Sequence, residues 1–308
     1  MRCPKCQFDH ELQTIECLKC GIVFSRYRPA PAEPVAEQTD AAIQSTSEAA
    51  DVSVLPDVDA PDRNDIVREL KYRAVALPVA LLLARLIAAT PLRLAEAELA
   101  MVLHESGHAI TAWLTGRWAI PTLWVTPHGQ DRSWLIVVAV TAAILFGGFM
   151  AWKTERWKWV VAAGAALLLQ VIVLSYPAGA LIVFWGDGGA MVLATILMAT
   201  FYAPRDSAIY KSWGLRWGLL FVGALSFMHV FLMWTGPFED LPFGEIEGVS
   251  LSDPSLLLEM YGWKDTVLVE RYVHLGETCL VFLSIFYVWG LVSTYLKIAQ
   301  NLPVKAAA

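Results

Sequence analysis

The chain has 308 residues, 56% of them hydrophobic, and a mean hydropathy of +0.50. A soluble globular chain is nearer ~45–50% apolar, so the surplus must face something other than water. A formal net charge of −6 excludes the basic surface expected of a nucleic-acid-binding protein.

Four of the five cysteines fall in the first twenty residues. Met1 leads directly into Arg2-Cys3-Pro4-Lys5-Cys6 with no apolar core behind it, so no signal peptide is expected and the N-terminus reads as cytosolic and reducing. There, clustered thiols favour metal over disulfides. Cys3-x-x-Cys6 and Cys17-x-x-Cys20 offer two thiolates each, enough to close a tetrahedral structural zinc site. Residues 1–28 are too short to bury a core, so the metal would supply most of their folding energy. Their ending, Cys20-Gly21-Ile22-Val23-Phe24, resembles that of the zinc-ribbon heads of bacterial proteins. Residues 29–62 mix Pro29, Pro31, Pro34, Pro56 and Pro61 with small and acidic residues, and read as a disordered linker.

From Ala74 onward the sequence is built of apolar runs at 74–90, 95–115, 134–152, 159–178, 180–202, 214–235 and 272–297. A membrane helix needs about 20 apolar residues, and only the first run is short. Trp113, Trp118, Trp134, Trp152, Trp157, Trp159, Trp213, Trp217 and Trp234 sit near run ends, as interfacial anchors do. The expected fold is an all-α polytopic membrane protein of about six or seven helices behind a small zinc ribbon. Residues 63–308 form the membrane domain. Basic clusters at Arg63–Arg73, Lys153–Lys158 and Arg205–Arg216 all belong in the cytosol by the positive-inside rule, and the acidic 236–270 loop outside. Seven full crossings cannot satisfy this, so one early segment is expected to re-enter or lie in the interface.

His104-Glu105-Ser106-Gly107-His108 lies inside the second run. Histidines four apart stack on one helix face and can share a zinc ion, with the intervening glutamate placed as general base. Unpaired, a charge at mid-membrane costs roughly 2.5–3.5 kcal/mol, which favours a metal site over a bland buried face. A catalytic zinc needs a third protein ligand and one open position. Asp187, in Trp185-Gly186-Asp187-Gly188-Gly189, is the best candidate: an acid deep in an apolar stretch, flanked by glycines that permit close helix packing. The alternative is a capping Asp at the start of a helix over 188–202.

His-Glu-x-Gly-His on one membrane helix, followed by an Asp-Gly pair at the head of another, resembles the site-2 protease family of intramembrane zinc metalloproteases. The resemblance covers residues 94–202. It implies zinc ligation by His104, His108 and Asp187, water activation by Glu105, and membrane-spanning or membrane-anchored proteins as substrates. With the structural zinc of the cysteine pairs this makes two zinc ions, one catalytic and one structural, and the resemblance of the ribbon to bacterial zinc-ribbon heads implies a bacterial inner-membrane protein with that ribbon in the cytosol. The sequence departs from the family in having Gly186 before the Asp, no Asn-Pro pair upstream, and two apolar runs between the motifs where the family core has one helix. A zinc-binding scaffold or sensor, and a metal or proton transporter, are the rival readings. Glu105 argues against the first, and the tight motif spacing against the second. His229, and the pair His274 and Glu277 at i, i+3, are further ionisable groups in apolar runs that could supply the third ligand, a second metal site or a proton path. His128 reads as a solvated turn residue and Cys279 as a small buried side chain.

Overall fold

The computed structural model describes residues 63–244, 246–247 and 250–300. The ribbon cysteines Cys3, Cys6, Cys17 and Cys20 and the linker lie outside the described residues. Nearly all regular structure described is helical: α1 (Arg63–Ile87), α2 (Arg93–Leu114), α3 (Trp134–Lys153), α4 (Trp157–Leu174), α5 (Ala178–Ala199), α6 (Ala208–Lys211), α7 (Trp213–Thr235), α8 (Asp253–Glu259) and α9 (Asp265–Gln300). A two-residue antiparallel pair, Ile246–Glu247 with Ser250–Leu251, lies between α7 and α8. Among the described residues, five helices are long and apolar enough to cross a membrane: α3, α4, α5 with its 3₁₀ extension to Tyr202, α7 and α9. The chain has the build of a membrane protein.

The helix boundaries follow local chemistry. Pro177 lacks an N–H and is extended, so α4 stops before it and α5 starts directly after it. Glu155, at a φ of 57°, makes the tight turn between α3 and α4. Helix α1 begins well before the expected apolar run, because Glu69 and Arg73 face inward and are buried there.

Contacts at the helix ends fix which ends share a side. Arg132, before α3, donates to the Leu174 carbonyl at the end of α4 (2.9 Å). Arg73 of α1 donates to the Ala203 carbonyl (2.9 Å) and Arg216 of α7 to that of Phe201 (3.0 Å), so the start of α1, the end of α5 and the start of α7 meet. With α4 leading directly into α5, the α3–α4 turn lies at that same end. All three basic clusters therefore gather at one end. Helix α2 packs antiparallel to α5 and finishes at the opposite end, which leaves α1 and α2 together as one net passage. The parity conflict in the sequence is thereby removed.

The two apolar runs between the motifs form a hairpin, α3 on α4, at the periphery. Only 11% of either span is buried, against 61% for α5. Thr141 and Gln170 hydrogen-bond across the hairpin at 3.1 Å. Helix α2 therefore meets α5 directly, and theirs is the most extensive helix–helix contact.

At the basic end, Glu69 accepts hydrogen bonds from Arg73 (2.6 Å), from two nitrogens of Arg216 (2.6 and 3.0 Å) and from Tyr210 (3.2 Å). The two guanidinium groups spend their remaining donors on the carbonyls that end α5. Burial alone would raise the Glu69 pKa, but Arg216 and Arg73 outweigh it and hold the carboxyl below its ordinary value. The stability this adds is present above the ordinary glutamate pKa and is lost as pH falls through the depressed one. Glu69→Ala leaves two buried guanidiniums without a carboxylate and should cost about 3–5 kcal/mol. Arg68→Ala removes an exposed pair with Asp65 and should cost under about 1 kcal/mol. Thermal unfolding of the detergent-purified variants checks the contrast.

Candidate metal centre

The His-Glu-x-Gly-His turn of α2 is pressed onto α5 by glycine on both helices. A Cβ at Gly107 would fall onto the Trp185 carbonyl oxygen and 2.9 Å from the Gly189 Cα; one at Gly189 would lie 2.5 Å from the Gly107 Cα. A Cβ at Gly186 would lie 2.6 Å from the His108 Nε2 and from the Cε1 of both imidazoles. Only glycine leaves room for both rings and the backbone crossing beneath them.

Each imidazole is fixed through its Nδ1. His104 Nδ1 lies 2.9 Å from Asp187 Oδ1, and His108 Nδ1 lies 2.8 Å from the Ile182 carbonyl oxygen. A carboxylate and a carbonyl can only accept, so both Nδ1 atoms carry the proton and both Nε2 atoms present lone pairs. The Nε2 atoms are 2.9 Å apart. Asp253, the first residue of α8, places its Oδ2 2.8 Å from His108 Nε2 and 3.2 Å from His104 Nε2. That oxygen is buried and makes no hydrogen bond of acceptable geometry despite these short approaches. Three electron-rich atoms so placed repel one another unless a cation sits among them. Tetrahedral zinc with ligands at ~2.0–2.1 Å sets them about 3.3 Å apart, so the donor set fits the metal. Among the described residues, His104, His108 and Asp253 are the group able to hold an ion.

The sequence reading placed Asp187 at the third ligand position. In the structure it stands behind His104, on Nδ1, and its Oδ2 accepts from the Trp234 indole N–H (2.9 Å). Both of its oxygens are thus engaged away from the point the two Nε2 atoms share. Nor does Asp187 cap a helix: α5 runs unbroken from Ala178, with Asp187 in its middle. Trp234 is fully buried and is no interfacial anchor, and Trp217 is half-buried; the other seven tryptophans named above are exposed. Trp234 stacks on Tyr272 (4.2 Å), which stacks on Phe184 (4.6 Å), so the indole is held facing Asp187.

Asp253 was not found in the sequence. It lies in the acidic loop, where Ser252-Asp253-Pro254 signals a helix start and nothing more. Tertiary bonds bring it inward: Ser252 donates to the Pro242 carbonyl (2.6 Å), and the Gly244 N–H donates to Ser255 (2.7 Å). Glu105 is buried, its Oε2 has no hydrogen-bond partner, and its carbonyl accepts from Thr126 (2.9 Å). His229 is half-buried and lines a cavity of about 210 Å³ together with His104, Asp187 and Asp253. His274 and Glu277 are exposed on α9 and stand apart from the centre. His128 is not a solvated turn residue but half-buried, paired with Ala119 in an isolated β-bridge. Cys279 is a buried free cysteine. No protein-family model matches the chain, and comparison with curated proteins and with solved structures likewise gives no match.

With Cys3, Cys6, Cys17 and Cys20 replaced by serine, metal analysis reports on this centre alone. Asp253→Ala should then lose the ion. Asp187→Asn should retain it with affinity weakened about 10–100-fold, the usual effect of removing a partner behind a ligand. The opposite pattern would return Asp187 to the third ligand position. Gly186→Ala should also lose the ion, whereas Gly164→Ala, where a Cβ meets open space, should not.

Proposed function

We propose that the chain is an intramembrane zinc metalloprotease of the site-2 protease type, which hydrolyses peptide bonds in membrane-spanning or membrane-anchored proteins. The observation that carries this reading is the convergence of His104 Nε2, His108 Nε2 and Asp253 Oδ2 within a bundle of membrane-length helices, with Glu105, whose Oε2 is buried without a hydrogen-bond partner, next to His104 in the chain. When bound, zinc supplies Lewis acidity, which polarises a carbonyl and acidifies water. His104, His108 and Asp253 hold the ion, and Asp187 fixes the His104 ring and tautomer. Glu105 accepts a proton from water at its carboxylate and returns it to the leaving amine. A substrate helix hides its amides in hydrogen bonds, so it must unwind locally to be cut.

The three basic clusters support a cytosolic placement of the end they share, in a bacterial inner membrane. This reading takes the proposed zinc ribbon to be cytosolic as well. This reading gives two zinc ions per chain, one held by Cys3, Cys6, Cys17 and Cys20 and the other in the membrane domain.

Glu105→Gln keeps the side-chain shape but cannot accept the proton. Membranes from cells expressing wild type should contain fragments of single-span proteins cut within or beside the span, mapped by mass spectrometry. Those fragments should be absent with Glu105→Gln, while the zinc content of the purified variant stays at the wild-type value. Undiminished fragments in the variant would rule out Glu105 as the base and the mechanism with it.

A further inference from the structure

At the basic end, away from the metal centre, the start of α1 and the α6–α7 corner enclose a groove of about 560 Å³. Of its carboxylates, Asp65 is paired with Arg68 at 2.9 Å, and Glu69 is shared by Arg216 and Arg73. Arg205 and Lys211 line the same groove, and neither has a carboxylate partner among the described residues. Arg205 makes a hydrogen bond of 3.3 Å to the Asp65 backbone carbonyl, which points its guanidinium across the groove without neutralising it. The groove thus holds two uncompensated cations.

Its surroundings are those of a membrane interface. Trp213, 70% exposed, stands at its rim. Beyond the polar part, an apolar lane continues down the seam between α1 and α7. Tyr72, Val75 and Val79 recur at helical spacing on α1 and are exposed. On α7, Trp213, Trp217 and Phe221 form a run of ring contacts at 5.9 and 6.5 Å. Tyr72 meets Trp217 edge-on at 6.1 Å, which joins the two sides into one floor.

We propose that this groove is a binding site for an anionic phospholipid of the surrounding bilayer. The phosphate and headgroup would be held by Arg205 and Lys211 with Arg68 at the rim, and the acyl chains would lie along the Tyr72–Trp217 seam. Two cations call for an anion, and the apolar lane leading from them selects one that carries hydrocarbon. The site joins α1 to α7 on the lipid-facing side of the Glu69 network, so a bound lipid clamps the first helix of the membrane domain to the bundle.

The test uses full-length protein in detergent, titrated with short-chain phosphatidylglycerol, phosphatidylcholine or inorganic phosphate and followed by thermal unfolding. Phosphatidylglycerol should raise the unfolding temperature, whereas the other two should leave it unchanged. In the double variant Arg205→Gln, Lys211→Gln the apparent affinity should fall roughly thirtyfold, as expected for removing two interfacial cations. Lys153→Gln with Lys158→Gln removes two charges from the same end outside the groove and should leave the titration unaltered. Equal stabilisation by phosphatidylcholine, an equal effect of inorganic phosphate, or equal loss in the Lys153/Lys158 control would each overturn the proposal. Arg205 is half-exposed and Lys211 exposed, and the unliganded unfolding temperature of the double variant should match wild type. If it does not, Lys211→Gln alone supplies the comparison, and an unaltered titration in that variant would equally overturn the proposal.

Discussion

The structure turns on the distance between α2 and α5. Gly107 and Gly189 let the two backbones cross with no side chain between them, and Gly186 leaves the space that both imidazoles fill. In a membrane this closeness has a particular value. Lipid tails are as apolar as leucine, so helices gain little from simple burial and associate through close packing and interhelical hydrogen bonds. Here the two operate together. The close crossing brings His104 within 2.9 Å of Asp187 and His108 within 2.8 Å of the Ile182 carbonyl, and these bonds hold the crossing in turn.

Fixing the Nδ1 side of both rings decides what the Nε2 side can do. With the protons held by Asp187 and the Ile182 carbonyl, neither imidazole can turn to satisfy the other. Two lone pairs 2.9 Å apart then await a cation. Asp253 adds a third oxygen to the same point from a different kind of element. It stands at the start of a seven-residue helix between α7 and α9, not on one of the five membrane-length helices. The centre therefore combines a rigid imidazole pair on a clamped helix with a carboxylate oxygen carried by a loop, and the loop is tied down by the Ser252 and Ser255 bonds to residues 242 and 244.

Much of this was legible in the sequence. Apolar runs located the long helices to within a few residues over 134–235, because membrane-length hydrophobicity is a strong local signal. The His104–His108 spacing gave the shared face, and the glycines flanking Asp187 gave the close crossing. What was misread depended on groups distant in sequence. Asp187 looked like a ligand because a lone acid among apolar residues demands a partner. Its partners proved to be an imidazole and the Trp234 indole, and an indole at the end of a run has the same appearance as an interfacial anchor. Asp253 was invisible because a Ser-Asp-Pro helix start in a polar loop is complete without further explanation. The first turns of α1 carry no apolar signal, because the inward-facing Glu69 and Arg73 look like part of a basic, solvated segment until Arg216, distant in sequence, is set beside them.

The distribution of polar groups follows from how the helices are shielded. Helices α3 and α4 are almost wholly open to their surroundings, and the polar contact between them is that of half-buried Thr141 with buried Gln170. Helix α5, the most enclosed span, carries Asp187 at its middle, and its C-terminal carbonyls receive the donors of Arg73 and Arg216. Placing an acid on α3 or α4 would expose it to hydrocarbon; on α5 it is surrounded by donors from α2 and α7. The two polar clusters, one at the basic end and one at the metal centre, are therefore built on the same central helix. Helix α7 supplies a donor to each, Arg216 at its start and Trp234 near its end, and so couples the orientation of α5 at both places.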